Sequence, residues 1–461
     1  MDHLTYARAQ MGLSLAFHMV FAAVGVALPV FMVIADVMLL RTGDPDYREL
    51  GKRMAKGTSI LFAVGAVSGT VLSFELGLLW PTFMGTFGEL IGLPFALEGF
   101  AFFTEAIFLG IYLYGRQRIH PRLHLFAGIM VAVSGAVSAF FVTLVNSFMN
   151  LPAGFTMEHG RAVGLDPWAA MFSPSWKHQT VHVLLSCYQA TAFAMAGVQA
   201  AVLLRHRGST LFRKSLGMSL AVACVVALVQ PLSGHGSAQS IAVLQPTKLA
   251  AAEAHFHSGR RAPILVGGLP DADAQETRGA LSIPGGLSFM AFNDLDAEVQ
   301  GLDAVPRDEW PNVAATHTAF DVMVGTGSLM MLLSVLAGVL AWRKKGLPDG
   351  TWFLRAVVAC GPLGLIAMEA GWCVTEFGRQ PWVVRGAMRT RDAVTPFPYL
   401  AAPFWMFTLV YVFLAVTVVY LLFRQLRDAP IAAPALSVRT PPSAPSAPNA
   451  PAPGQEAEHG H

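Results

Sequence analysis

Nine apolar runs, each long enough to cross a bilayer, constrain this chain more than any other feature. A hydrocarbon core needs roughly 20 apolar residues per helix, and in lipid only helices and closed barrels satisfy every backbone polar group. The sequence therefore predicts an all-α polytopic membrane protein with nine transmembrane helices. Charged residues make up only 13% of the chain, against about 25% in soluble domains. The runs cover residues 13–40, 59–80, 94–114, 125–148, 180–204, 216–232, 317–342, 352–376 and 399–423.

Basic residues concentrate in every second connection between these runs. Four connections are rich in lysine and arginine: 41–58, 115–124, 205–215 and 343–351. The positive-inside rule places these connections in the cytoplasm, so we expect the N-terminus outside and the C-terminus in the cytoplasm. The 377–398 connection carries four arginines on the outer side. That departure from the rule indicates a local task for the segment.

The chain divides into four parts. Residues 1–232 hold helices one to six, 233–316 form a polar outer loop, 317–425 hold helices seven to nine, and 426–461 form a Pro/Ala-rich cytoplasmic tail that we expect to be disordered. In the outer loop, 247–256 predicts a short helix capped by its threonine. The first apolar run is too long for the core of a cleavable signal peptide.

Composition excludes several classes of function. The formal net charge is +2, which argues against a nucleic-acid partner. The four cysteines form no CxxC pair, so neither a structural zinc site nor a disulfide scaffold is indicated.

Buried carboxylates are the first sign of chemistry. Glu98 and Glu105 are seven residues apart, as are Glu369 and Glu376, so each pair lies on one helix face two turns apart. Acids in a membrane span are costly and are by default functional. They suit proton delivery to a buried centre, whereas the structural alternative is a pair of protonated acids bonded to helix backbones. Ser138 and Asn146 can extend such a relay, although small polar residues more often join helices together.

Histidines supply candidate iron ligands. His18 and His182 lie well inside apolar spans, with His178 and His317 at span edges. A single buried histidine is usually a packed, hydrogen-bonded one, but two beside several acids favour haem or metal ligation. Met323 is by default a core methionine, and only a partner histidine would make it an axial ligand.

The outer loop has two charges of its own. Lys248 and Glu253 are five residues apart, so a helix would separate them by about 140°. They can bracket a small polar head group, or they can be two solvated charges.

Several stretches together resemble subunit I of the cytochrome bd quinol oxidases, in order from residue 5 to about 425. The GRQPW beside Glu369 is the most specific of them, and the short outer loop resembles the form that includes the cyanide-insensitive branch. The matching stretches are RAQMGLSLAFH, LEGFAFFTEAIF, TVHVLLSCY, QPTKLAAAEAHF, AFDVMVG and AMEAGWCVTEFGRQPW.

The resemblance implies a role for each matching residue. His182 and Met323 would be the axial ligands of a low-spin haem b. His18 and Glu369 would ligate a high-spin haem b and a haem d, or a third haem b, without either ligand being assigned to one of them. The remaining implied roles are proton delivery by Glu98 and Glu105 along a path with Ser138 and Asn146, quinol contact by Lys248 and Glu253, and closure of the first haem's outer side by Arg379, Gln380 and Trp382.

The resemblance also implies an activity and partners. A bacterial inner-membrane oxidase of this kind would take electrons from ubiquinol or menaquinol outside and reduce dioxygen to water with cytoplasmic protons, without pumping. Its implied partners are a hydrophobic subunit II, a small accessory subunit and membrane lipid. Two other classes fit the spans: a haem b membrane anchor of a quinone-linked dehydrogenase, and a polytopic transporter.

Overall fold

The computed structural model describes residues 2–428, and within that range it contains nine helices long and apolar enough to cross a membrane. The predicted all-α polytopic fold is therefore confirmed. The eighth span consists of two consecutive helices, Thr351–Cys360 and Leu363–Phe377, separated at Gly361 and Pro362. The predicted tail beyond residue 428 lies outside the described residues.

The helices follow one another as a bundle that runs up and down. Their bounds are α1 His3–Thr42, α2 Pro45–Leu79, α3 Pro81–Gly115, α4 Pro121–Asn150, α5 Pro167–Met171, α6 Trp176–Arg205, α7 Thr210–Leu244, α8 Pro246–Ala252, α9 Gly286–Phe292, α10 Val313–Lys344, α11 Thr351–Cys360, α12 Leu363–Phe377, α13 Thr390–Ala393 and α14 Ala401–Arg427.

Five antiparallel two-stranded hairpins and ladders lie in the connections. The strands are β1 Thr156–Glu158 with β2 Arg161–Val163, β3 Gly259–Arg260 with β8 Glu298–Val299, β4 Ile264–Val266 with β7 Leu281–Ile283, β5 Leu269–Asp271 with β6 Glu276–Arg278, and β9 Trp382–Val384 with β10 Met388–Arg389.

Helix ends follow ordinary capping chemistry. The Asp44 side chain accepts from the backbone N–H of Asp46, and Pro45 follows at the first helical position of α2, where a missing N–H costs nothing. Gly43 ends α1 with φ of 69°, a left-handed conformation that glycine adopts most easily. The Asn312 side chain accepts from Ala315 N at 3.0 Å and so begins α10.

Close contact between helix backbones holds the second half of the bundle together. A Cβ at Gly364 of α12 would lie 2.5 Å from the Cα of Ala190 on α6, and one at Gly197 would lie 2.8 Å from the Cα of Gly361. Small residues at a helix crossing permit this approach, which is how membrane helices gain van der Waals contact without a hydrophobic driving force.

Several helices extend beyond their predicted apolar runs, among them α2, which begins at Pro45, and α3, which begins at Pro81. Two further differences concern the outer loop. Helix α7 continues to Leu244, so residues 233–244 are helical although they are polar and were placed in the outer loop. Backbone hydrogen bonding does not require lipid-facing side chains, which is why hydropathy ended the span too early. The short helix of the loop covers Pro246–Ala252, and its N-cap is Gln245 without a side-chain bond, not Thr247.

Candidate functional site

His182 on α6 and Met323 on α10 are the candidate ligands of the low-spin haem. Both helices pack against α7 and α12. On one side, the Nε2 atom of Gln230 on α7 lies 3.3 Å from His182 Nε2, and a Cβ at Gly234 would lie 3.6 Å from His182 Cε1. On the other, a Cβ at Gly371 of α12 would lie 2.9 Å from Met323 Sδ. Glycines therefore leave room beside both candidate ligands.

His18 is held through one ring nitrogen. Its Nδ1 lies 2.9 Å from Ser68 Oγ on α2, and a Cβ at Gly69 would come within 3.1 Å of the ring. A hydrogen bond at one nitrogen orients the imidazole and leaves Nε2 for a metal, the usual outer-shell arrangement of a ligating histidine.

Glu369 is a half-buried residue whose Oε1 atom is buried. Its Oε1 has no hydrogen-bond partner among residues 2–428. Leaving a charged oxygen unsatisfied in an apolar setting is strongly unfavourable, so such an atom fits a ligand to iron. Its neighbour Met368 packs against Ala23 of α1 and Cys187 of α6, which places the carboxylate inside the bundle.

The two acids of α3 face α4. Ser138 donates to Glu98 Oε1 at 2.9 Å, and a Cβ at Gly135 would lie 3.3 Å from Glu105 Oε2. Glu105 is 6% exposed. Glu98, Glu105 and Ser138 thus share one contact surface between α3 and α4, as the helix periodicity predicted for the two acids.

Asn146 lies elsewhere. Its Nδ2 donates to Glu376 Oε1 at 3.1 Å, and Asn150 Nδ2 donates back to Asn146 Oδ1 at 3.0 Å. The proton relay suggested by the sequence joined Asn146 to Ser138, but the structure places Asn146 in a different network, at the other carboxylate.

Hydrogen bonds link this second network to the outer loop. Lys248 Nζ donates to Asn150 Oδ1, and a Cβ at Gly378 would lie 2.9 Å from Lys248 Cγ. At the opposite end Arg379 Nη2 donates to Glu376 Oε2 at 2.5 Å. The chain of contacts from Lys248 through Asn150, Asn146 and Glu376 to Arg379 joins two segments that are far apart in sequence.

Arg379 has spare donors in a buried position. It is 5% exposed, yet its Nε and Nη1 atoms have no acceptor in the part of the chain that the structure describes. Buried guanidinium groups are normally fully paired. The free donors therefore fit an anionic group, such as the propionate of a haem, that no residue within 2–428 supplies.

The rest of the GRQPW stretch is fixed by local bonds. Gln380 Oε1 accepts from Thr390 Oγ1 at 2.8 Å, and Trp382 opens strand β9 with the Arg389 guanidinium 5.2 Å from its ring centroid. Gln380 and Trp382 therefore hold the turn that carries Arg379.

Lys248 and Glu253 are both buried, contrary to the interpretation as solvated charges. Burial, with Arg379 nearby, lowers the pKa of Lys248 to about 7. Burial, with the Asp321 carboxylate nearby, raises the pKa of Glu253 to about 8. Neither carboxylate oxygen of Glu253 has a partner within residues 2–428. Burial therefore shifts the pKa of both groups toward neutrality, at the loop end of the bundle.

Sequence reasoning missed some members of the site. It paired Glu376 with Glu369 but did not find its partners Arg379 and Asn146. It also passed over Asn150, whose signal was two asparagines one turn apart at the end of an apolar span. It also noted His317 without finding its partners.

The comparisons with known proteins all point to one family. The family model "Cytochrome bd terminal oxidase subunit I" matches residues 6–430. The putative cytochrome bd menaquinol oxidase subunit I of Bacillus subtilis is 39% identical over 437 residues, covering 94% of this chain and 98% of that protein. The cytochrome bd ubiquinol oxidase subunit 1 of the same organism is 30% identical, covering 93% and 94%.

A solved structure shows the same fold. The bd oxidase of Geobacillus thermodenitrificans aligns with a TM-score of 0.88 at 38% identity, covering 93% of this chain and 99% of that one. These matches lend no support to a dehydrogenase anchor or a transporter. The chain belongs to the cytochrome bd terminal oxidase subunit I family.

Proposed function

We propose that this protein is the haem-bearing subunit of a bd-type quinol oxidase that oxidises quinol at the loop end of the bundle and reduces dioxygen to water. The carrying observation is the hydrogen-bonded chain between Lys248 and Arg379. This chain connects Lys248, at the proposed quinol site, with the buried guanidinium of Arg379, which fits a haem propionate.

Four residues would hold iron. His182 and Met323 would provide an imidazole and a thioether to a low-spin haem b, and His18 and Glu369 would each provide one ligand to a high-spin haem. Bound haems supply one-electron transfer and a site for dioxygen. The donor set fits haem d and a third haem b equally, since the ligands do not select the macrocycle.

At the loop end, Lys248 and Glu253 bind and deprotonate the substrate. Each quinol gives two electrons and two protons as it becomes quinone. A carboxylate at Glu253 can accept the two protons one after the other and pass each outward, while the Lys248 side chain, held by Asn150, hydrogen-bonds a quinol oxygen. Two quinols supply the four electrons that reduce one dioxygen to two waters.

The buried acids Glu98 and Glu105 would carry protons inward for the reduction of dioxygen. Ser138 holds Glu98 in place, and the two acids succeed one another along α3. With the N-terminus outside and the basic connections in the cytoplasm, substrate protons leave on one side and consumed protons enter from the other. The reaction then builds a proton-motive force without a pump.

The family implies a subunit II partner and a quinol substrate. We further propose that large apolar side chains exposed on α3 and α14, such as Phe100 and Phe413, face lipid, subunit II or a small accessory subunit. Location in a bacterial inner membrane as a multi-pass protein follows from the nine spans and the family. The relatives' names include both menaquinol and ubiquinol oxidases, so either quinol is a candidate substrate.

One assay tests the proposal. The chain is purified with its subunit II, and oxygen uptake is measured after short-chain ubiquinol or a menaquinol analogue is added. We expect uptake with either or both quinols and a haem spectrum. A haem-bearing preparation that consumes no oxygen would indicate a membrane-anchor cytochrome, and a colourless one would indicate a transporter.

A further inference from the structure

His317 is a fully buried histidine that the oxidase mechanism above does not use. It lies near the start of α10 with 0% exposure. Its Nδ1 is 2.8 Å from the carbonyl oxygen of Ala252, and its Nε2 is 3.2 Å from that of Gly267. Both ring nitrogens thus face backbone acceptors, so the ring is committed to the protein and is not available to ligate iron.

A second residue of α10 acts on the same loop. Asp321, one turn after His317, has Oδ2 3.3 Å from His317 Nε2 and accepts from Gly267 N at 2.8 Å. The pair therefore binds both the N–H and the C=O of Gly267. This arrangement fixes the loop segment against α10 and orients the histidine ring toward Ala252.

The bond to Ala252 controls the neighbouring acid. The Ala252 carbonyl and the Glu253 N–H belong to one planar peptide unit. The N–H end donates to Leu249 O at 2.9 Å, and the C=O end accepts from His317. With both ends held, the orientation of this peptide plane is fixed, and with it the direction in which Glu253 leaves the backbone.

The backbone turns sharply after Glu253, where His255 N donates to Ala250 O at 2.8 Å. Glu253 is the C-cap residue of α8. The next residue, Ala254, has a φ of 50°, so the backbone reverses there. The carboxylate itself is 1% exposed with no partner for either oxygen inside residues 2–428. Its position therefore depends on the backbone, and His317 Nδ1 supplies a side-chain contact to that backbone at the Ala252 carbonyl.

We propose that His317 is a positioning residue for quinol binding: through its Nδ1 bond to Ala252 it aims the Glu253 carboxylate into the quinol pocket. This inference rests on the proposed function, because it assumes that Glu253 contacts the substrate. His317 would thus set the geometry of the quinol site from α10, the helix that also carries Met323.

A pair of substitutions separates the two bonds of the ring. The amide nitrogen of asparagine, like Nδ1, is attached to Cγ, while that of glutamine, like Nε2, lies one atom further out. His317→Asn can therefore keep the bond to Ala252, and His317→Gln can keep the bond to Gly267. Both variants are neutral amides, so any loss of ring charge is the same in the two.

The measurement is the KM and kcat for short-chain ubiquinol, and for a menaquinol analogue, on the assembled two-subunit oxidase. We expect His317→Asn to keep KM within about 2-fold of wild type and His317→Gln to raise it about 10-fold, the effect of losing one buried hydrogen bond. The low-spin haem spectrum should be unchanged in both, and His257→Asn, at an exposed site of the same loop, should behave like wild type.

Each variant is decisive by itself. A 10-fold rise of KM in His317→Asn, a wild-type KM in His317→Gln, or equal values in the two would overturn the positioning role. Glu253→Gln separates this from the proposed function. If Glu253→Gln keeps wild-type KM and kcat, the role of Glu253 in quinol oxidation fails. If it is impaired while the two His317 variants behave alike, the proposed function stands and the inference about His317 does not.

Discussion

Arg379 donates to Glu376 at 2.5 Å and keeps two further guanidinium nitrogens buried with no acceptor among the residues that the structure describes. The pairing uses the Nη2 atom of the guanidinium and leaves Nε and Nη1 to bind an anion. Because Glu376 is also bound by Asn146, the arginine is held rigidly before any cofactor arrives. Such preorganisation is what a propionate site needs.

Arg379→Gln should weaken retention of the low-spin haem. Losing a charge-assisted hydrogen bond costs about 1.5–3 kcal/mol, which corresponds to roughly 10- to 100-fold weaker binding. The remaining haem should have a lower midpoint potential, because a nearby cation favours the reduced state. Spectroelectrochemical titration of the purified complex measures both effects. Arg391→Gln, at a side chain exposed on the same connection, is the control, and equal spectra and potentials in the two variants would contradict the assignment.

Quinol oxidation should depend on pH through Glu253. With its pKa raised to about 8 by burial, this acid is protonated at lower pH and cannot accept a proton there. The kcat/KM for quinol should therefore rise with pH and level off above about 8. Glu253→Gln should lower kcat/KM and remove this limb. A pH profile of the variant that still rises through 8 would assign the limb to another group.

Replacement of Lys248 by methionine should remove the pH dependence of the quinol KM near pH 7. Burial lowers the pKa of its ammonium to about 7, so the group is charged below that pH and neutral above it. The quinol KM of wild type should change across pH 7, whereas that of Lys248→Met should be flat there. An identical KM profile in the two proteins would exclude Lys248 from the pocket.

Much of the fold could be predicted because nine apolar runs must become nine helices in lipid. Glu98 and Glu105 could likewise be placed on one face by periodicity alone. The partner of Asn146 could not, because Glu376 is 230 residues away and no local pattern encodes that contact. The extension of α7 also escaped prediction, since hydropathy reports lipid exposure and not backbone hydrogen bonding.

Gly364→Ala should destabilise the bundle. The new Cβ would lie 2.5 Å from the Cα of Ala190, so α6 and α12 must separate, and overpacking of this kind costs about 1–3 kcal/mol. Thermal denaturation of the purified complex should show a lower Tm. Gly110→Ala, where a Cβ meets nothing within 4 Å, serves as the control. A Tm for Gly364→Ala equal to that of the control would show that the crossing tolerates a methyl group.

Glu105→Gln should slow oxygen reduction with little effect on quinol binding. An amide cannot carry a proton, and positioned proton transfer contributes typically 10²–10⁴-fold. Oxygen uptake at saturating quinol should fall by about 100-fold, while the quinol KM stays near wild type. Ser138→Ala removes only the bond to Glu98 and should cause a smaller loss. Wild-type turnover in Glu105→Gln would remove this acid from the proton path.

The haem content of the isolated two-subunit complex tests the central claim most directly. Pyridine haemochrome analysis should find three haems per subunit I in wild type. His182→Ala and Met323→Leu should each lose the low-spin signal of the reduced-minus-oxidised spectrum, with the high-spin signals retained. A colourless wild-type complex, or a low-spin signal unchanged in both variants, would contradict the account.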